Sequence, residues 1–226
     1  MPIYNPVLTT LDITEIKRYS GLPHSAQFSS QLLDQACTEA YILVKSQAIW
    51  QIYDYNASSR TIMSPHPHTL PPTKVSDHLA NSLQVAVIAV TIGAHLETRV
   101  KEYFSNDEYT LGLLLDAAGT TAVEIAADKA CELIKQQASH KGYSTLSRFS
   151  PGYGQWNITD QPTILALAHA QEIGITATSS CMLLPRKSIT AVIGLAANIP
   201  NINMETSPQC TSCQQCKQVK CLARKD

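Results

Sequence analysis

Two groups of residues in this chain have the types and spacing to do chemistry. The first is Cys210-x2-Cys213-x2-Cys216-x4-Cys221, four thiols close to the C-terminus. Thiolates favour zinc and iron–sulfur clusters. The compact run with two-residue gaps favours a cluster, because zinc sites more often use two separated Cys-x-x-Cys knuckles. Zinc is the alternative. The fourth gap is longer and no proline follows it, so the bacterial ferredoxin pattern is met only in part. Lys217 and Lys220 offset the thiolate charge.

The second group is Arg148-Phe149-Ser150-Pro151-Gly152-Tyr153. A Pro-Gly turn after a strand offers the backbone groups of Ser150 and Gly152 to a ligand, and glycine admits close approach. Arg148 can grip a carboxylate with two nitrogens. Tyr153 adds a flat face and a hydroxyl. By itself, such a stretch reads more often as an ordinary turn with a surface arginine.

Other chemistry-bearing residues point to structure. His66 and His68 flank prolines in a connector and read as an exposed loop. Cys37 and Cys131 fall on helices and read as core thiols. His95 and Glu97 read as a helix-start pair. Cys181 takes no role. There is no Ser-His-Asp arrangement and no glycine-rich phosphate loop.

The elements that must position these groups follow from periodicity. Ile3–Leu11 reads as a short strand. Asp12 caps a helix to Tyr19, and Gln31–Ser46 is helical by the spacing of Leu33, Cys37, Tyr41 and Val44. Ala48–Asn56 alternates as a strand, with Thr61–Met63 as a partner. Residues 64–72, rich in proline and histidine, mark a boundary. Ser76 caps a helix over Asp77–Ser82. Val85–Ile92 is a nearly continuous apolar strand, and His95–Tyr103 a helix. A long helix spans Tyr109–Ala138, with Leu111, Leu115, Ala118, Ala122, Ile125, Ala126, Lys129 and Leu133 on one stripe. Its small residues (Ala117, Ala118, Gly119, Ala122, Ala126, Ala127) allow close approach. Tyr143–Phe149 is a strand, Asp160–Gln171 a helix capped by Asp160, and Gly174–Ala177 and Ser188–Ala196 are strands. The fold class is α+β, a mostly antiparallel sheet with one long central helix. The division is an N-terminal α+β subregion (1–75), a core (76–200) and a cysteine-rich tail (201–226).

The 226 residues are 44% hydrophobic with a net charge of −1, enough apolar surface for a normal core. The balance of 17 basic and 18 acidic residues gives no long-range pull toward nucleic acid or an anionic membrane. The first residues lack a signal-peptide pattern and the longest apolar runs are too short to span a bilayer, so the expected location is cytoplasmic.

The Arg148–Tyr153 stretch resembles the Arg-x-x-Pro-Gly-Tyr signature of the activation domain of cobalamin-dependent methionine synthase. The resemblance runs over about residues 84–196. Upstream, Asp116–Leu133 is similar to the family's long helix, with Asp128 or Glu124 in place of its ligand-binding glutamate. Downstream, Ile173-Gly174, Thr178–Pro185 and Ser188-Ile189 resemble the family's ending, with Ser179 for its glutamate and Ala191 for its glycine. The resemblance implies a shallow S-adenosylmethionine groove. Arg148 would hold the ligand carboxylate, Ser150 and Gly152 would give backbone contacts, and Glu124 or Asp128 would accept from the ligand. Tyr153 would face the corrinoid as the catalytic-side residue.

It further implies an accessory protein for reductive remethylation of cobalamin on a partner. That partner is a corrinoid protein or a methionine synthase lacking its own activation domain, and flavodoxin or ferredoxin is the electron donor. The competing reading is an adaptor that has lost S-adenosylmethionine binding and acts by corrinoid-protein binding, metal binding or electron transfer. The family's N-terminal aspartate contact has no counterpart in the first 75 residues. Free-standing relatives resemble the tail as well, ending in Cys-x2-Cys-x4-Cys and an arginine, as at Cys213, Cys216, Cys221 and Arg224.

Overall fold

In the computed structural model, which describes residues 3–21 and 29–197, helix α1 (Ile13–Tyr19) is capped by the Asp12 carboxylate on the Thr14 N–H at 2.7 Å. Helix α2 is Ser30–Leu43. Strand β1 (Gln47–Asn56) leads to the short strands β2 (Thr61–Met63) and β3 (His68–Thr69). Helix α3 (Lys74–His78) precedes β4 (Gln84–Thr91), and helix α4 is His95–Ser105. The long helix α5 covers Tyr109–His140. Then come β5 (Tyr143–Thr145), α6 (Gln161–Ala168), the hairpin strands β6 (Thr176–Ala177) and β7 (Leu183–Leu184), and β8 (Ser188–Ala197).

Six strands form one sheet in the order β3-β2-β1-β4-β8-β5, and every pairing is antiparallel. This is the expected α+β architecture. The segments on either side of residue 75 both contribute strands to it, with β1 paired to β4 from Gln47↔Thr91 to Asp54↔Gln84. Strand β4 is buried along nearly its whole length because the sheet is covered on both faces. Trp50, Ala86, Ile88, Val90, Ala191 and Ile193 face α1, α2, α4 and α5. Ile49, Val85, Val87, Ala89 and Val192 face the opposite core, which holds Val75, Leu79, Trp156 and the α6 residues Ile164 and Leu165. A strand with two dry faces reads as a continuous apolar run rather than an alternating one.

Helix α5 is long and apolar enough to cross a membrane by length and composition. Most of its apolar residues are instead buried against the sheet and the neighbouring helices, as in a core helix. Its buried set is not the single expected stripe: Leu114, Ala117, Gly119, Thr121, Val123 and Ala127 are buried as well, while Ile125, Lys129 and Leu133 are only half-covered. The small residues have the predicted consequence at Gly119, where a Cβ would come within 2.7 Å of Leu96 Cδ2 on α4.

Several boundaries differ from the sequence reading, each for a local reason. Ile3–Leu11 forms no strand; its sheet contact is a single bridge, Tyr4↔Ala48. Helix α3 starts earlier than expected, with Ser76 inside it and its hydroxyl bonded back to the Thr73 carbonyl at 2.8 Å. The expected helix to Gln171 stops at Ala168, because His169 takes a left-handed conformation (φ 59°) that breaks the helical path. Asp160 gives α6 no side-chain cap; its carboxylate is bonded elsewhere. His68 lies in β3 with a largely covered side chain rather than in an exposed loop.

At Gly194 on β8 a Cβ would meet Ser82 Oγ at 2.2 Å, Leu146 Cδ1 at 2.8 Å and Leu79 Cδ2 at 2.9 Å. Gly194→Ala should therefore destabilise the fold by about 1–3 kcal/mol through overpacking. Urea unfolding of the variant beside the wild type measures it, and an unchanged midpoint would contradict this packing.

Candidate functional site

The site is built by a register change at the sheet edge. Strand β5 pairs regularly with β8 as far as Thr145↔Leu195, and the Leu146 N–H continues to the Gly194 carbonyl at 2.8 Å. The next bridge is Phe149↔Val192, which is one residue out of that register. The extra residue among 146–149 is a bulge, and it breaks the expected strand Tyr143–Phe149 into two pieces. A one-residue slip exchanges the faces of the sheet. Phe149 consequently joins the core opposite α5, and Arg148 turns to the α5 side.

There Arg148 meets two carboxylates one helical turn apart. Its two terminal nitrogens lie 2.5 Å from Glu124 Oε2 and 2.5 Å from Asp128 Oδ1. Residues four apart share a helix face, so both acids reach the same guanidinium. Cys131 Sγ lies 4.0 Å from the same group. Burial alone would weaken the arginine's hold on its proton, but Glu124 and then Asp128 more than offset this and raise its pKa. Burial pushes the Cys131 thiol up, with Arg148 pulling the other way, so the thiol stays protonated at neutral pH. Tyr19 on α1 completes this end: burial and then the Glu124 charge raise its phenol.

The turn after Arg148 is closed on itself. Pro151 and Gly152 are its central residues, with Gly152 at φ +92° and the Tyr153 N–H on the Ser150 carbonyl at 3.3 Å. A proline followed by a residue of positive φ is the type II pattern. The Gly152 N–H is donated to the Trp156 carbonyl at 2.8 Å, so it is not free for a ligand as expected. Tyr153 is 70% exposed.

A second ion pair occupies the other end of the same helix face. Lys187 Nζ lies 3.0 Å from Asp116 Oδ2 and 2.7 Å from Thr120 Oγ1. The Lys187 N–H is held by Glu97 Oε1 at 2.7 Å, which gives Glu97 a role in joining α4 to the chain before β8 rather than in capping. Sequence reasoning missed Lys187 and Tyr19. The missed signal is the polar series Asp116, Thr120, Glu124, Asp128 at four-residue spacing on a largely apolar stretch of the helix.

Thus the structure brings Glu124, Asp128 and Arg148 together, with Ser150, Gly152 and Tyr153 in the turn that follows. Cys210, Cys213, Cys216 and Cys221 lie outside the described residues. Among the described residues, no group of three or more His, Cys, Asp and Glu side chains is gathered to hold a metal ion. Cys37 and Cys131 are half-buried thiols packed against the core, as expected.

Removing the cation from the trio leaves two carboxylates facing each other. Arg148→Met should cost about 1 kcal/mol of stability. Glu124→Gln in the same chain should restore part of that loss. A double-mutant cycle by chemical unfolding gives the coupling, and strict additivity would show that the pair does not act as drawn.

No family model and no curated protein sequence matches this chain. Among solved structures, it is similar to the MetH reactivation domain in its crystal structure bound to AdoHcy, with a TM-score of 0.55 and 14% identity. The match covers 76% of this chain and 67% of that one. The six-stranded antiparallel sheet with its long central helix is therefore the fold of the MetH reactivation domain.

Proposed function

We propose that this chain serves the reductive reactivation of a corrinoid cofactor carried by a partner methyltransferase, with S-adenosylmethionine as methyl donor. One observation carries the reading: on the MetH reactivation-domain fold, the bulge turns Arg148 toward Glu124 and Asp128, directly before the turn that exposes Tyr153. The solved domain of this fold is bound to AdoHcy, a ligand of the same nucleoside class. Charge supports the assignment. The trio of two carboxylates and one guanidinium carries a net negative charge, complementary to a ligand with an ammonium and a sulfonium. On binding, the ligand carboxylate competes for Arg148 while its ammonium takes over from the guanidinium at Glu124 or Asp128. Tyr153 then stands exposed toward the partner's corrinoid, which is a substrate here. The partner is a corrinoid protein or a methionine synthase without its own activation domain, reduced through flavodoxin or ferredoxin.

Titration calorimetry with S-adenosylmethionine tests the groove. Wild type should bind, and Arg148→Ala should lose at least about tenfold in affinity, as expected for a lost charge-assisted pair. Equal binding by the variant would remove the groove from this place. Mixing the chain with a Co(II) corrinoid protein, a reductant and S-adenosylmethionine should yield the methyl–cobalt spectrum.

A second reading is favoured by a different observation. Arg148 is already paired by its own chain, with one carboxylate on each terminal nitrogen. An adaptor that keeps the fold and binds corrinoid proteins without S-adenosylmethionine would have this arrangement. The calorimetry separates the two.

The four tail cysteines extend the proposal. A thiolate-ligated iron–sulfur cluster there would relay the low-potential electron that reactivation requires, and zinc is the alternative. Anaerobically purified protein should be brown and contain iron. A colourless, iron-free product with one zinc per chain would replace the relay with a structural site.

A further inference from the structure

The turn that exposes Tyr153 is held from behind by a side chain the site itself does not use. Trp156 closes the turn through its main chain: its carbonyl accepts from Gly152 at 2.8 Å, and its own N–H donates to the Tyr153 carbonyl at 2.8 Å. Its ring is 1% exposed and packs against Phe149, the residue paired across the bulge, with centroids 6.3 Å apart. Gly154 and Gln155, both at positive φ (52° and 70°), bring the chain from Tyr153 round to Trp156. Gly154 permits this, because a Cβ there would lie 2.7 Å from Phe149 Cζ.

The indole N–H is donated to Asp160 Oδ2 at 2.5 Å. Asp160 stands where an aspartate ordinarily caps a helix, yet its side chain makes no cap bond to α6. The carboxylate is instead directed at Trp156. From the sheet edge, His68 Nε2 lies 3.9 Å from the same oxygen and has no hydrogen-bond partner among the described residues. The carboxylate thus accepts from the indole and lies beside the imidazole without a hydrogen bond to it.

We infer that Asp160 is a positioning residue for the ligand site: by holding the Trp156 indole it sets the Ser150–Tyr153 turn in the conformation that receives S-adenosylmethionine. The inference rests on the proposed function for its ligand and on the hydrogen-bond chain Asp160–Trp156–Gly152 for its geometry. Asp160 touches no ligand; it acts through Trp156. What matters is the acceptor oxygen rather than the charge, because an indole N–H needs only an acceptor in place.

The test uses the full-length chain and two readouts. In calorimetry with S-adenosylmethionine, Asp160→Ala and Trp156→Phe should each weaken binding about tenfold, the scale of one lost hydrogen bond to a charged group. The double variant should be no weaker than either single one. Asp160→Asn, which keeps an acceptor, should bind within about twofold of wild type. In proton–nitrogen NMR the chain has two tryptophans, and Trp156→Phe assigns their indole signals. The Trp156 signal should shift in Asp160→Ala and hold in Asp160→Asn. Wild-type affinity in Asp160→Ala with the indole signal moved overturns the inference, as does an Asp160→Asn variant as weak as Asp160→Ala. If wild type itself binds no S-adenosylmethionine, the proposed function fails but the positioning chain is still tested. Amide hydrogen exchange at Gly152 and Trp156 should then speed up about tenfold in Asp160→Ala, and unchanged exchange there overturns it.

Discussion

Between Leu146 and Phe149 the edge of the sheet carries one residue more than β8 opposite it, and that residue decides which face Arg148 serves. In unbroken register, Arg148 would lie opposite Val192 and point into the core packed around α6. A guanidinium there would be buried without a partner, at a cost of several kcal/mol. The bulge removes that conflict and has two further effects. It places Phe149 where the aromatic stack of Trp156 and His78 forms. It also brings Arg148 onto the α5 face that carries Glu124 and Asp128. One insertion therefore assembles the cationic centre of the site and the apolar base under its turn.

Helix α5 makes this arrangement sharp rather than loose. Its polar series Asp116, Thr120, Glu124, Asp128 lies beside a surface of alanines and glycines that lets α4 and the sheet pack closely. Such a helix has little freedom to roll, because any rotation drives Leu96 into Gly119 or lifts the alanines from β4. The carboxylates are accordingly fixed at one turn's separation. Lys187 balances Asp116 and donates to the Thr120 hydroxyl, and Arg148 pairs with the last two. The Lys187–Asp116 pair is neutral, whereas the Arg148 trio keeps one uncompensated negative charge. Any ligand that entered here would meet a net negative trio whose guanidinium is already shared between two carboxylates.

Much of the frame is legible in the sequence, since it comes from period and composition. The long helix, the apolar strand at Val85–Ile92 and the strand at Ser188–Ala196 stand where periodicity puts them, because burial on one or two faces writes itself into side-chain order. The candidate site is legible only as a set of residue types. Arg148, Glu124 and Asp128 stand out from the sequence, but their mutual pairing depends on the bulge, and no residue between Leu146 and Phe149 announces it. Side-chain roles departed from the sequence reading where a side chain had a better tertiary partner. Asp160 looks like a cap by position, and the buried indole of Trp156 outbids the helix N-terminus for its carboxylate. His68 looks like a loop residue after Pro67, and the short strand β3 tucks it against that same carboxylate.

The arrangement around Arg148 has a consequence for how the fold and a ligand are coupled. The guanidinium is bonded twice within the chain, so a ligand carboxylate gains only the difference between its own pairing and those of Glu124 and Asp128. Solvent exposure of the two acids keeps the cost of giving up those pairings small, because a half-exposed ion pair contributes far less than its vacuum attraction suggests. A ligand carboxylate would then keep most of its own pairing with Arg148, and the rest of the ligand would add to it. A zwitterion with an added positive charge relieves the site's excess negative charge when its ammonium replaces the guanidinium, whereas a simple carboxylate adds to it. On the proposed reading, the trio would select against bare anions by the same charges that hold it together, and the turn behind it, closed by the Trp156 main chain, would limit the geometry from which a partner could approach.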